Sequence, residues 1–355
     1  MKVDCTFDAA APSSVASAAR AAEALGLDAV WFAETAHDPF VAAALALSAT
    51  RRIAVGTGIA VAFARSPIVL AQSGFDLAAL GQGRFALGLG TQVRAHVERR
   101  FGMPWSAPAP RLGEWIGAIR AAWSAWQYGA PFRYAGEHVD LSLMTPVFSP
   151  PPLDFPAAPG TSRIPLSVAG VGPGLTRLAG RQAEGFQVHP LHTARYLAET
   201  IEPALREGEA GRADSEGRDL AAVAGKRAER IVPVFLAATE DRAAVEEVRR
   251  RIAFYASTPS YRRVLALHGR ERAGEQLSRL AATGRWDEMP AQIDDEFLAL
   301  VAVVAPGDGL ADALAARCSG AADRVLPLVP FELTPDGEPA DRRLWERLIS
   351  TLRSA

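Results

Sequence analysis

An apolar run of strand length, a turn and a helix-length amphipathic stretch follow one another again and again from the first residue. This alternation limits the fold more than any other feature of the chain. Strands are predicted over 2–7, 29–32, 53–59 and 84–89, with helices over 14–25, 39–49 and 67–80 between them. The punctuation agrees: Gly26 suits a helix C-cap, and Pro67 suits a first helical turn. Neighbouring strands joined through helices must run parallel, because a parallel pair needs a long crossover.

The pattern resumes after an interruption. A long helix is predicted over 111–126, an irregular stretch over 128–165 and a strand over 164–169. There follow a helix over 175–183, a strand over 185–188, a helix over 194–207, a polar loop over 208–226 and a strand over 230–237. A helix over 241–255 leads into a mostly helical insertion at 256–300, after which 301–304 reads either as a strand or as the end of an apolar helix. A helix from 306 to about 317 precedes a last strand at 322–328 and a last helix at 341–352. Eight strands spaced by helices point to an α/β chain closed as a (β/α)8 barrel. A doubly wound open sheet is the alternative, but the Gly-x-Gly-x-x-Gly turn it would need after its first strand is absent.

Composition narrows the function classes. With 49% hydrophobic and 22% charged residues, the chain can bury a large core and is not a disordered segment. A net charge of −2 gives no electrostatic footprint for nucleic acid. No apolar run reaches membrane-spanning length, and the opening MKVDCTFDAA lacks the apolar core of a signal peptide. The two cysteines, Cys5 and Cys318, make no disulfide framework or metal spacing. The expectation is a soluble, cytoplasmic globular protein.

Barrel chemistry gathers where strands end at their C-termini. The residues predicted there are Asp8; Glu34, Thr35, His37 and Asp38; Gly58, Ile59 and Ala60; Gly90, Thr91, Gln92 and His96; the run Ala169, Gly170, Gly172, Pro173 and Gly174; and His189 with His192. The stretch VAGVGPG at 168–174 lies between a strand and a helix. It is either a tight corner or an anion cradle: glycines admit a ligand closely, and the first helical turn offers unpaired N–H groups. Gly172 is the position where a side chain would meet the anion, and a positive φ is expected there. Four of the six histidines share this rim, yet no HExxH or HxH spacing marks a metal site, and none is expected. The tryptophans at 115, 123 and 126 read as packing between helix and barrel.

Three stretches carry a resemblance: TGIAVAFARSPIVLAQSGFDLAALGQGRFALGLGTQ at 57–92, LGEWIGAIRAAW at 112–123 and IPLSVAGVGPGLTRLAGRQAEG at 164–185. In these the chain resembles the luciferase-like monooxygenase superfamily, and within it the oxidoreductases that use the deazaflavin coenzyme F420. The resemblance covers nearly the whole chain. It implies one TIM-barrel domain with the 256–300 insertion near the active-site face, and a homodimer through outer helices. It also implies hydride transfer between F420 and a small organic substrate. The alternatives are an FMN-dependent monooxygenase and a flavin- or deazaflavin-binding protein without catalysis.

The resemblance further implies a cis peptide at Gly58–Ile59 against the ring, with Gly90, Thr91 and Gln92 lining the pocket. Ala169, Gly170, Gly172, Pro173 and Gly174 fall on the phosphate turn, and His96 and His189 near the cofactor tail or substrate. His37 is the candidate general acid or base, since imidazole exchanges protons near neutral pH, with Glu34 orienting it. The sugar-phosphate dehydrogenases of the family end their second strand with Asp-His, where this chain has Glu34 and Thr35. That departure argues against a glucose 6-phosphate activity.

Overall fold

The computed structural model describes residues 1–7, 11–156, 162–212 and 226–355. Asp8 lies outside these, as do 157–161 of the proline-rich loop and 213–225 of the polar loop. Eight parallel strands form the barrel: β1 (Lys2–Thr6), β2 (Ala29–Phe32), β3 (Ala54–Thr57), β4 (Phe85–Gly90), β5 (Leu166–Gly170), β6 (Gly185–Val188), β7 (Glu229–Ala238) and β8 (Arg324–Leu328). Neighbours pair in sequence order. The ring closes where Ile231 of β7 faces Arg324 of β8 and Val3 of β1 faces Val325. The closed barrel is therefore the fold, and the open sheet is excluded.

The outer helices are α1 (Pro12–Leu25), α2 (Pro39–Ala49), α3 (Pro67–Gly81), α4 (Pro108–Tyr128), α5 (Pro173–Gln182), α6 (Glu202–Ala210), α7 (Arg242–Ala256), α8 (Leu310–Cys318) and α9 (Arg342–Ser354). Proline opens the first five, where its missing N–H leaves no bond unmade. Asp38 caps α2 by accepting Phe40 N–H, and Ser66 caps α3 by accepting Val69 N–H. Trp115, Trp123 and Trp126 of α4 are buried as expected, and the Trp123 indole donates to the Ala71 carbonyl.

Three expectations need correction. The strand predicted at 53–59 stops at Thr57, and pairing with β4 resumes at Ala60–Val61, because the chain kinks at Gly58. The predicted loop over 208–226 begins later, since α6 runs to Ala210. The irregular 128–165 stretch holds a short hairpin, Tyr134–Ala135 against Asp140–Leu141. The 301–304 ambiguity resolves both ways: the helix Asp295–Val301 runs directly into the strand Ala302–Ala305, which pairs with the upper half of β7. Among the described residues, no helix is long and apolar enough to cross a membrane.

Polar layers fill the barrel. Near its floor Asp4 accepts from the Trp31 indole and from two nitrogens of Arg324. Above it, the Gln187 amide donates to Thr57 O and Ser167 Oγ, and the Thr57 hydroxyl accepts Gly88 N–H. Glycine is required at position 88, where a Cβ would stand 1.9 Å from Thr57 O.

Candidate active site at the barrel mouth

The mouth has two walls. The first is built from the ends of β2, β3 and β4. The Gly58–Ile59 peptide is cis, at the bond where the resemblance placed one. Ile59 lies across the end of β4, and only glycine at 90 makes room, since a Cβ there would come within 2.8 Å of Ile59 Cγ1. Thr91 is buried. Gln92 takes a left-handed φ of 58° and folds its side chain back to accept Val93 N–H at 3.0 Å.

Glu34 leaves β2 and turns to this wall. Its N–H donates to Ile59 O at 3.0 Å. Its Oε2 accepts Val61 N–H at 2.7 Å and Arg65 Nη1 at 2.7 Å. The expected pairing of Glu34 with His37 is thus replaced by one with Arg65, because a fixed guanidinium satisfies a half-buried carboxylate better than an exposed ring. His37 stands exposed on the loop between Glu34 and Asp38, at the edge of the mouth. His96 is exposed too, on the short helix Arg94–Arg99.

The second wall is built from β5 and β6. Ala169 and Gly170 end β5, paired with Gln187 and Val188. Gly172 then forms the N-cap of α5 with φ −94° and ψ 159°. The expected positive φ is absent, so a side chain at 172 meets no backbone strain. No side chain caps this helix, and Pro173 carries no N–H, so the Gly174 and Leu175 amides precede the first helical bond, Thr176 N–H to Gly172 O. Over the turn lies Arg263, its Nη1 3.1 Å from where a Gly172 Cβ would stand. The Arg263 guanidinium stands near Tyr196, whose hydroxyl donates to Val171 O at 2.8 Å. Burial pushes the Tyr196 hydroxyl up to about 12 against the pull of that guanidinium, so it stays protonated and donating.

The family described as luciferase-like monooxygenase matches residues 3–324. This chain belongs to the luciferase-like monooxygenase family. An uncharacterized protein of Mycobacterium tuberculosis is 44% identical over 325 residues, which covers 91% of this chain and 92% of that protein. A protein of Kineococcus radiotolerans named F420-dependent glucose-6-phosphate dehydrogenase is 31% identical over 219 residues, 59% of this chain and 61% of its own length. Among solved structures, the coenzyme F420-dependent tetrahydromethanopterin reductase of Methanopyrus kandleri superposes with a TM-score of 0.74, covering 100% of this chain and 98% of that one at 18% identity. At that identity the likeness is one of fold.

In this luciferase-like chain the end of α7 and the segment that follows it, residues 255–268, pack as a roof on the second wall. Tyr255 and Tyr261 pack their rings against His189, with centroids 4.8 and 4.4 Å away. Thr193 Oγ1 lies 2.9 Å from His268 Nε2, and Arg195 donates to Leu267 O, which pins the roof to the segment after β6. His189 Nδ1 accepts Leu191 N–H, so its proton sits on Nε2. Burial, with His192 nearby, drops its pKa to about 3, and burial drops His192 to about 4. Both rings are neutral at physiological pH, and His192 Nδ1 donates to the His189 carbonyl.

The rim histidines do not converge on a common point for an ion. Among the described residues, the one group with metal-ligand geometry is Glu114, Glu137 and His138, none of them a rim histidine. There the Glu114 carboxylate accepts the N–H groups of Glu137, His138 and Val139 and meets His138 Nδ1, which staples the small hairpin to α4. Sequence reasoning missed Arg65, Tyr196, Tyr255, Tyr261 and Arg263. Arg65 had a visible signal, since it stands inside the ARSP stretch next to the kink.

Proposed function

We propose that this protein is an F420-dependent oxidoreductase that transfers a hydride between the coenzyme and a small, largely apolar organic substrate. The donor set at Gly172 carries the reading: two uncapped amides at a helix N-terminus with a guanidinium over them. Among the described residues no carboxylate pairs with Arg263. Arg263 is exposed at the positive end of this helix, and an anionic group bound at the turn would pair with both the amides and the guanidinium. A cofactor phosphate fits this position, and the Kineococcus relative supports F420 as its bearer.

Bound F420 supplies a two-electron carrier at ring carbon C5. Ile59, Gly90, Thr91 and Gln92 would hold the ring; Ala169 to Gly174 and Arg263 would hold the phosphate. Tyr255 and Tyr261 keep water from the second wall, and His189 offers a neutral N–H to the cofactor tail or the substrate. His37 is the proton-exchanging residue at the open edge, with His96 further along the rim. The chain lacks histidine directly after its second-strand carboxylate, so a sugar phosphate is not the proposed substrate.

We further place the protein in the cytoplasm as a homodimer. Cys5 and Cys318 are free and buried, which suits a reducing compartment. The outward face of α2 and α3 exposes Val41, Leu45, Val69 and Leu80, and a second copy of that face would cover them. Titrating the purified protein with F420 and with FMN tests the function. Micromolar binding of F420 with weak FMN binding is expected; FMN binding alone would overturn the proposal in favour of an FMN monooxygenase. Binding of F420 without turnover on a broad panel of carbonyl and alkene substrates would leave a carrier protein. Light scattering of the wild type against Leu45→Glu tests the dimer, which the variant should dissociate.

A further inference from the structure

The geometry points to Arg65 as the positioning residue that fixes the ring-binding wall and the His37 loop to one another. This rests on the reading that Ile59 and Gly90 receive the cofactor ring. The Arg65 guanidinium reaches both ends of the loop over 34–38: Nη1 donates to Glu34 Oε2 and Nη2 to Asp38 Oδ2, each at 2.7 Å. His37 lies inside that span. The same Glu34 oxygen accepts Val61 N–H, and Glu34 N–H donates to Ile59 O, so the loop is tied to the 59–61 segment at two points.

Arg65 is itself immobilised. Its carbonyl accepts the Trp115 indole N–H at 3.1 Å, and its guanidinium lies 5.2 Å from the Phe40 ring centre. The side chains of Arg65 and Glu34 are 16% and 8% exposed, so the pair is shielded from solvent and salt. Arg100 adds a third tether by donating to Thr35 O. A carboxylate oxygen committed to both a guanidinium and a backbone amide serves as an anchor. Two separate carboxylates need the planar fork of arginine; a lysine ammonium reaches them as a single point.

The test is equilibrium binding of two ligands, F420 and its phosphate-free deazaflavin fragment. The proteins are the wild type, Glu34→Gln, Arg65→Gln, Arg65→Lys and the double glutamine variant. Each glutamine variant should weaken both ligands by the same factor, roughly tenfold. The double variant should be no worse than either single one, and Arg65→Lys should recover part of the loss. If Glu34→Gln does not fold, Arg65→Lys carries the test, with a smaller equal loss on both ligands. Affinities within about twofold of wild type, fully additive losses, or a loss confined to F420 would each overturn the inference. A wild type that binds neither ligand defeats the deazaflavin reading itself, and the inference falls with it.

Discussion

The two walls of the mouth use charge in opposite ways. On the first, Arg65 meets Glu34 and Asp38, and every strong partner comes from the protein. On the second, Arg263 meets a helix N-terminus and a tyrosine hydroxyl, and its charge has no carboxylate among the described residues. A cation neutralised inside the structure holds shape. A cation left over at positive amides is a site for something that arrives from outside. On the proposed reading the same residue type gives support on one side and binding on the other, and only the partners distinguish them.

The comparison can be broken most sharply at the second wall. Gly172→Val puts a branched side chain where Arg263 now lies, with no φ penalty. F420 affinity should fall by about 100-fold, while the melting temperature of the ligand-free protein moves by only about 3 °C. Equal affinity of the wild type for F420 and its phosphate-free fragment would reduce the turn to a corner. His37→Ala probes the open edge of the first wall. Turnover of any substrate found should drop roughly 10²-fold with F420 affinity unchanged. Unchanged turnover would move the proton step away from His37.

Arg263→Gln is the milder test. F420 binding should weaken about tenfold, and binding of the phosphate-free fragment should not change. Equal loss on both ligands would show that Arg263 supports shape as Arg65 does, and the contrast between walls would vanish. The smallest effect concerns pH. His189 and His192 titrate near 6.5 when unfolded and near 3 and 4 when folded. Between those values the unfolded chain binds more protons, so stability falls as pH drops below about 6.5 and continues to fall to about 3. Thermal melts at pH 7.5 and 5.0 should show this, and His192→Asn should narrow the difference by a few degrees. A variant with the wild-type slope would remove the buried pair as its source.

The barrel was legible because each strand is a short apolar run closed by a turn, and the helices between have their own start signals. The turn at Gly172 was legible as a glycine run after an apolar strand, whereas the kink at Gly58 came only from the family resemblance, since the apolar pattern ran on to residue 59. The partners of neither were legible. Arg65 reaches a carboxylate 31 residues earlier, and Arg263 rests on a glycine about 90 residues earlier, so neither leaves a local pattern. Glu34 was placed beside His37 because the two are close in sequence, whereas a loop can turn neighbouring side chains apart. The positive φ expected at Gly172 failed because a glycine N-cap can be plain extended backbone; its missing Cβ serves the guanidinium instead.

The roof over the second wall comes from residues 255–268, well after the turn it completes. During synthesis the glycine turn emerges from the ribosome long before Arg263 does. A nascent chain that ends at β6 presents the two amides without their cation, and β7 and β8 are still missing from the barrel. If the turn holds the coenzyme phosphate as proposed, its site is complete only once Arg263, in the last third of the polypeptide, has been made.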